Sequence, residues 1–594
     1  SNGKLVETRD NPDGTRSFHW LQSQQHVAYL MTLVVGEFHV ETQDWRGKPV
    51  SYYVRPIHRD KIKNSFSNTT AMLDFFSDKI GVEYPWDKYA QVCCYGFGGG
   101  MENTSATTLT EQTLHDDRAH LDRDSESLVA HELAHQWWGD LLTCREWAHV
   151  WLNEGFATYF EDLWQEHHFG SDEFAYQMYQ EMQAAIEAGK DKPVVWREYQ
   201  DPDEQFDGRA YPKGAWVLHM VRRRLGDETF WKVIKKYAQT YSHQTVETAD
   251  FRRVIEDVTG RSFERFFHDW TDRAGCPVVS AKYEWRPDEQ AVSIRVCQTQ
   301  TEPAFCFPLT IELGSADSQT PIVISRNIDS KDREIVVPMA AQPTRVRIDP
   351  DQSVLMVLKE DKPHSLWVAQ LESDPSVAAR IRAAQHFEDD PGETDIKLLG
   401  ARLRTEPFWG VQKEIAAVLG RIGDSDARDQ LLVGLTIENP KARAAVVEAL
   451  GNFEDDDKVA NALKPMLDKG DKSYQVEANL ITSLADAKPE GAAQWLMPLL
   501  CRDSNNEIIR AAVLKSLGKH GGTEVLVTLM DWTKPAKPMQ CRAAALEGMG
   551  EVVARNDGAI RAQPLRPDSA INRRIAKALA AHPNRCPESA WKHG

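Results

Sequence analysis

The chain is poor in the features that mark several protein classes. Nine cysteines are scattered over 594 residues, an odd count with no C-x-x-C pair. This argues against a secreted disulfide framework and against a thiolate zinc site. Cys297 and Cys306 are read as free thiols rather than a cross-strand bridge. No run approaches the about 18 uninterrupted apolar residues that a membrane span requires. The start, Ser1-Asn2-Gly3-Lys4, lacks the apolar core of a signal peptide. Basic residues are neither in excess nor clustered, and the net charge is −19, so no nucleic-acid partner is expected. These absences leave the compartment undetermined, with a lean towards the cytoplasm.

What is present reads as a globular chain of several domains, about four at roughly 150 residues each. Hydrophobic residues make up 41% and charged residues 27%, which separates it from disordered sequences. Residues 17–54 carry β-rich stretches such as "YLMTLVVGEFHVET" and "VSYYVRP". From about Pro56 to Asp272 the pattern is helical. "SESLVAHELAHQWW" predicts one helix, with Ser125 or Ser127 as its cap, and "NEGFATYFEDLWQEHHFG" a second that stops at Gly170. Residues 276–358 alternate apolar and polar positions in short runs, "AVSIRVCQ" and "PLTIELG" among them, which predicts a small β-sandwich.

Beyond Lys359 a helical unit recurs. Its anchors are Phe387, Leu419, Leu450, Leu484, Leu517 and Met549, spaced by 32, 31, 34, 33 and 32 residues, with Leu579 as a seventh. A helix pair of this period cannot bury its apolar face alone, so stacking into an α-solenoid similar to HEAT repeats is expected.

The stretch His131–Phe160 carries the chemistry. In "HELAH", His131 and His135 are four residues apart. On a helix both imidazoles then lie on one face and can reach one ion. Neutral imidazole suits Zn²⁺, and three protein ligands leave one position for water. Glu132, between them, projects towards that water as a general base. The third ligand should be a carboxylate from a neighbouring element, and Glu154, 19 residues after His135 in "WLNEG", opens the second helix.

These residues carry a family resemblance. "HELAHQWWGD" followed by "WLNEGFATYF" resembles the gluzincin aminopeptidases of the aminopeptidase N and leukotriene-hydrolase type, including the eighteen residues between the second histidine and the glutamate. "GFGGGMEN" is similar to their G-x-M-E-N element, and "RAYPKGAWVLHM" to their tyrosine element. The likeness covers about residues 20–358 and reaches the repeats only in general architecture.

The resemblance implies a multidomain α+β protein. Residues 1–54 would be remnant strands of an N-terminal β domain, 55–275 a thermolysin-like, mainly helical zinc peptidase domain, 276–358 a β-sandwich and 359–594 a HEAT-like helical repeat domain. It implies one Zn²⁺ per chain on His131, His135 and Glu154, with Glu132 and Tyr211 catalytic. Gly99, Gly100, Met101, Glu102 and Asn103 would bind substrate. Glu102 would pair with the free amine of a peptide and Tyr211 would donate to the developing oxyanion. Asp140 is read either as a group that orients a metal ligand or as a plain helix-end carboxylate. The expected function is zinc-dependent hydrolysis of N-terminal peptide bonds.

The family usually begins with a large saddle-like β domain, of which only the last strands are recognised here. That departure leads to the expectation that the site binds zinc but has weakened exopeptidase activity. The alternative reading is an inactive peptidase-like scaffold whose HEAT-like repeats bind a protein partner. Such a scaffold should have eroded ligands, and all five catalytic positions are intact.

Overall fold

The computed structural model describes residues 1–316 and 318–562. It divides into two compact units. The first comprises residues 1–95, 100–114 and 124–418, and the second residues 96–99, 115–123 and the chain from Leu419 onward.

The first unit is built around a five-stranded mixed sheet. Its strands, in spatial order, are His39–Trp45, Lys48–Val54, Tyr89–Cys94, Ala106–Thr110 and the short Gly100–Met101. The first two form an antiparallel hairpin, and Lys48–Val54 then pairs parallel to Tyr89–Cys94 across a crossover containing the helix Thr69–Ile80. Residues 39–54 therefore join the same sheet as Tyr89–Cys94 and Ala106–Thr110. Their pairing is non-local, and nothing in their own alternation shows which sheet they join. The apolar run Met31–Phe38 is also not a strand: Met31, Leu33 and Val35 are exposed. A separate hairpin, Lys4–Asp10 with Arg16–Leu21, precedes it.

Helix Glu126–Ala134 lies against the short edge strand, and helix Trp151–Phe169 packs on that helix and on Ser171–Ala188 and Pro212–Leu225. Ser125 sits at the N-cap of the first, but its hydroxyl donates to the Ser65 carbonyl. The Asp124 carboxylate takes the Glu126 N–H instead, at 3.0 Å. The second helix stops where expected, at Gly170 with φ +100°. Phe156, Tyr159, Phe160 and Leu163 form its buried face.

The β-sandwich is observed as a four-stranded and a three-stranded sheet spanning Val278–Asp361. Val292, Ile294 and Val296 from one sheet and Leu309, Ile311 and Leu313 from the other are fully buried in one core. Cys297 and Cys306 are free thiols.

The helical repeats follow the sequence period. The six described anchors all fall within, or directly after, every second helix: Val377–His386, Trp409–Ile422, Pro440–Leu450, Tyr474–Ala487, Ile508–His520 and Met539–Ala562. Leu579 lies outside the described residues. Several of these helices open on a side-chain cap, as at Ser376, Asn439 and Ser473. In the second unit Arg428–Asp456 and Arg443–Asp471 join successive pairs at 2.8 and 2.9 Å.

Candidate metal centre

The two motif helices bring three ligand atoms together. His131 Nε2 lies 3.1 Å from His135 Nε2. Glu154 Oε2 lies 3.4 Å from the first and 3.0 Å from the second. Ligands about 2.0–2.1 Å from a tetrahedral zinc stand about 3.3 Å from one another, so these edges fit such an ion. Among the described residues, this is the group of three metal-ligating side chains with convergent atoms. All three side chains are largely enclosed, His131 keeping 12% exposure.

The back of each imidazole is held. His135 Nδ1–H donates to the Trp138 carbonyl at 2.8 Å, and His131 Nδ1–H to Glu161 Oε2 at 3.1 Å. Both bonds place the ring proton on Nδ1 and leave Nε2 free to ligate. Glu161 is two helical turns beyond Glu154 on the same helix, so one face supplies both a ligand and an orienting carboxylate. Sequence reasoning missed it, although the seven-residue offset was a usable signal. Asp140 does not hold either imidazole: the Nδ1 atoms meet Glu161 and the Trp138 carbonyl, and the Asp140 backbone N–H meets the His135 carbonyl at 3.1 Å.

Electrostatics favour positive charge at this point. Burial pushes both imidazoles down, but Glu154 and neighbouring carboxylates outweigh it. They hold His131 well above its ordinary range and His135 at about 9. Burial likewise pushes Glu154 up, while the two imidazoles pull it down to about 2. Two cationic rings with nitrogens 3.1 Å apart repel each other. A divalent cation among the three atoms supplies the charge without the repulsion, so the donor set fits a metal.

The remaining predicted residues converge in part. Glu132 is 4% exposed, and its Oε2 has no hydrogen-bond partner. Burial, with Glu102 and Glu154 nearby, pushes its carboxyl up to about 8 against the pull of the histidines. Gly100, in the short edge strand, makes room for it. A Cβ there would stand 2.0 Å from Glu132 Oε1. Glu102 is buried and pushed up by burial and Glu154, with His135 pulling the other way. Met101 is half-buried beside it. Asn103 is turned to structure, its Oδ1 accepting the Thr108 hydroxyl at 2.9 Å. Gly99 adopts φ +67°, a turn conformation that glycine favours.

Tyr211 is the N-cap residue of helix Pro212–Leu225, and its ring stacks on His131 with centroids 5.9 Å apart. Two glycines place it there. A Cβ on Gly155 would lie 2.7 Å from Gly214 Cα, so the helices carrying Glu154 and Tyr211 touch backbone to backbone. Burial, then Glu154, Glu102 and Glu132, push the Tyr211 phenol far above its ordinary range, so it stays a hydrogen-bond donor. Trp137, Trp138 and Trp151 are core. Trp147 instead packs with Phe206, near Tyr29 and Tyr211.

Comparison with known proteins agrees with this geometry. Residues 64–270 match the peptidase family M1 domain, and residues 396–474 and 466–550 match HEAT repeats. Aminopeptidase M1 of Arabidopsis thaliana is 33% identical over 293 residues, 48% of this chain and 33% of that protein. Aminopeptidase M1-C of Oryza sativa subsp. japonica is 29% identical over 327 residues, 53% of this chain and 37% of that protein. Glutamyl aminopeptidase of Rattus norvegicus is 31% identical over 287 residues, 46% and 30% of the two chains. The matched region spans about a third of the length of these relatives. The solved structure of Legionella pneumophila aminopeptidase A in complex with aspartic acid shares the fold. Its TM-score is 0.77 at 16% identity, covering 93% of this chain and 72% of that one.

Proposed function

We propose that this chain, which carries a peptidase family M1 domain followed by HEAT repeats, is a zinc-dependent aminopeptidase acting on peptides with a free N-terminal amine. One observation carries the reading: two Nε2 atoms and a carboxylate oxygen meet within 3.0–3.4 Å beside an unpartnered glutamate carboxyl.

His131, His135 and Glu154 would hold the ion. Bound there, zinc would supply Lewis-acid polarisation of a peptide carbonyl and acidify water. Glu132 would take the proton of the attacking water and return it to the leaving amine, its unpartnered Oε2 being free to receive it. Glu102 pairs with the substrate ammonium and so admits free N-termini. The Tyr211 hydroxyl donates to the oxyanion as it forms. Two HEAT-repeat segments offer a further surface for a protein partner.

The test is a panel of aminoacyl fluorogenic substrates with their N-acetylated copies, with and without chelator, on the parent and Glu132→Gln. The proposal expects turnover of free-amine substrates only, lost on chelation and reduced on the order of 1000-fold by the substitution. Bound zinc with no turnover of any substrate would return the chain to the scaffold reading.

A further inference from the structure

Directly after the second motif histidine comes a glutamine that the mechanism does not use. Gln136 is fully buried. Its Nε2–H donates to the carbonyl of Glu102 at 2.9 Å, and its Oε1 accepts the N–H of Ser105 at 2.8 Å. The Tyr84 hydroxyl lies 3.3 Å from the same Oε1, and the Gln136 backbone carbonyl accepts from Trp86 Nε1 at 3.0 Å. The pairing fixes which way the amide points, because the flipped amide would set donor against donor and acceptor against acceptor.

Residues 102–105 form a tight corner between the edge strand and the strand Ala106–Thr110. Ala106 N–H closes on the Asn103 carbonyl at 2.8 Å, and Ser105 adopts φ +62° without being glycine. The Gln136 side chain meets this corner as a neighbouring strand would, one donor to one acceptor at each end. It is thereby a direct tie between the helix segment bearing His135 and the backbone bearing Glu102.

We propose that Gln136 is a positioning residue that sets the separation between the amine-anchoring carboxylate and the metal ligands. The inference rests on the reading of Glu102 as the amine anchor. Its physical content is a ruler. A substrate residue spans about 3.3–3.6 Å of extended chain, so an anchor displaced by even 1 Å no longer sets the first carbonyl over the ion. Two buried hydrogen bonds hold that distance, and with it the preference for removing a single residue.

Equilibrium binding tests this without turnover. In a zinc-loaded Glu132→Gln background, calorimetry would compare leucinamide with N-acetyl-leucinamide on the Gln136 parent, Gln136→Glu and Gln136→Met. The Glu variant, measured at a pH where its carboxyl is ionised, keeps the acceptor for Ser105 but has no donor for the Glu102 carbonyl. The Met variant has neither. The expected result is that leucinamide binds roughly tenfold more weakly or worse, that the acetylated copy is unchanged and that zinc affinity stays within about twofold of the parent. In the active enzyme KM should rise more than kcat falls. If the Met variant does not fold, the Glu variant carries the test. Unchanged leucinamide binding overturns the proposal, and so does equal weakening of both probes with loss of zinc. Glu102→Gln separates the two readings. If it retains the free-amine preference, the anchor assignment fails. If it loses that preference while the Gln136 variants keep it, the role of Gln136 alone fails.

Discussion

Glu161 accepts a hydrogen bond at 3.1 Å from His131 Nδ1, the ring nitrogen that faces away from the ligand cluster. Ser127 contacts the other oxygen of the same carboxylate. The imidazole is therefore fixed in orientation and tautomer, and an anionic acceptor raises its basicity as a ligand. Glu161→Gln keeps the shape but not the charge, and Glu161→Ala keeps neither. Zinc affinity, measured by competition with a chromogenic chelator, should fall about tenfold for the first and up to about 100-fold for the second. Parent-like affinity in both variants would mean that the contact is incidental.

Gly100 is required by the Glu132 carboxyl rather than by a turn. A methyl group there would lie 2.0 Å from Glu132 Oε1 and 2.3 Å from its Cδ, closer than real contacts allow. The edge strand is paired to Ala106–Thr110 and cannot retreat without losing its hydrogen bonds. Gly100→Ala should therefore push the carboxyl aside while leaving the three ligands in place. The expected outcome is a loss of kcat on the order of 100-fold with zinc content unchanged. Undiminished kcat would show that the carboxyl has room to spare.

The ligand set was legible in the sequence because it obeys local geometry. The histidines are four positions apart, the second capping the helix that bears the first, and Glu154 lies in the first turn of the next. The repeat was legible for a similar reason, each anchor falling in or directly after one helix of a pair. Glu161 and Gln136 were not found, since each acts through a partner that only the tertiary fold brings near. The sheet that the hairpin His39–Val54 joins was not legible for the same reason: its parallel neighbour, Tyr89–Cys94, comes some 40 residues later. Ser125 was read as a cap from residue type alone, yet its hydroxyl found a better partner in the Ser65 carbonyl.

Within the repeats, helices Ile508–His520 and Met539–Ala562 touch at two glycines. A Cβ on Gly518 would stand 2.1 Å from Gly548 Cα, and the obstacle is backbone, which cannot rotate away. Gly518→Ala should force the helices apart and cost about 3 kcal/mol or more, seen as a lowered unfolding midpoint. An unchanged midpoint would show that the pair separates at no cost.

Lys213 yields a prediction in pH. It is 1% exposed, and its Nζ donates to the Gly275 carbonyl at 3.0 Å. Burial lowers its pKa from 10.5 to about 8, with Arg209 pushing the same way and Cys276 opposing. The folded state thus binds the proton less tightly than the unfolded chain does. Below about 8 the lysine is charged in both states and the cost of burying that charge is fully felt. Between about 8 and 10.5 the folded protein sheds the proton first, so this group makes stability rise with pH. A shift of this size corresponds to about 3 kcal/mol. Lys213→Met removes the titration and the bond to Gly275 together. The bond is lost at every pH, so it offsets the comparison by a constant. The stability of Lys213→Met relative to the parent should therefore fall by about 3 kcal/mol as pH rises from 8 to 10.5, measured by denaturant unfolding at each pH. A difference that stays flat across that window would show that the ammonium is charged and solvated in the folded protein.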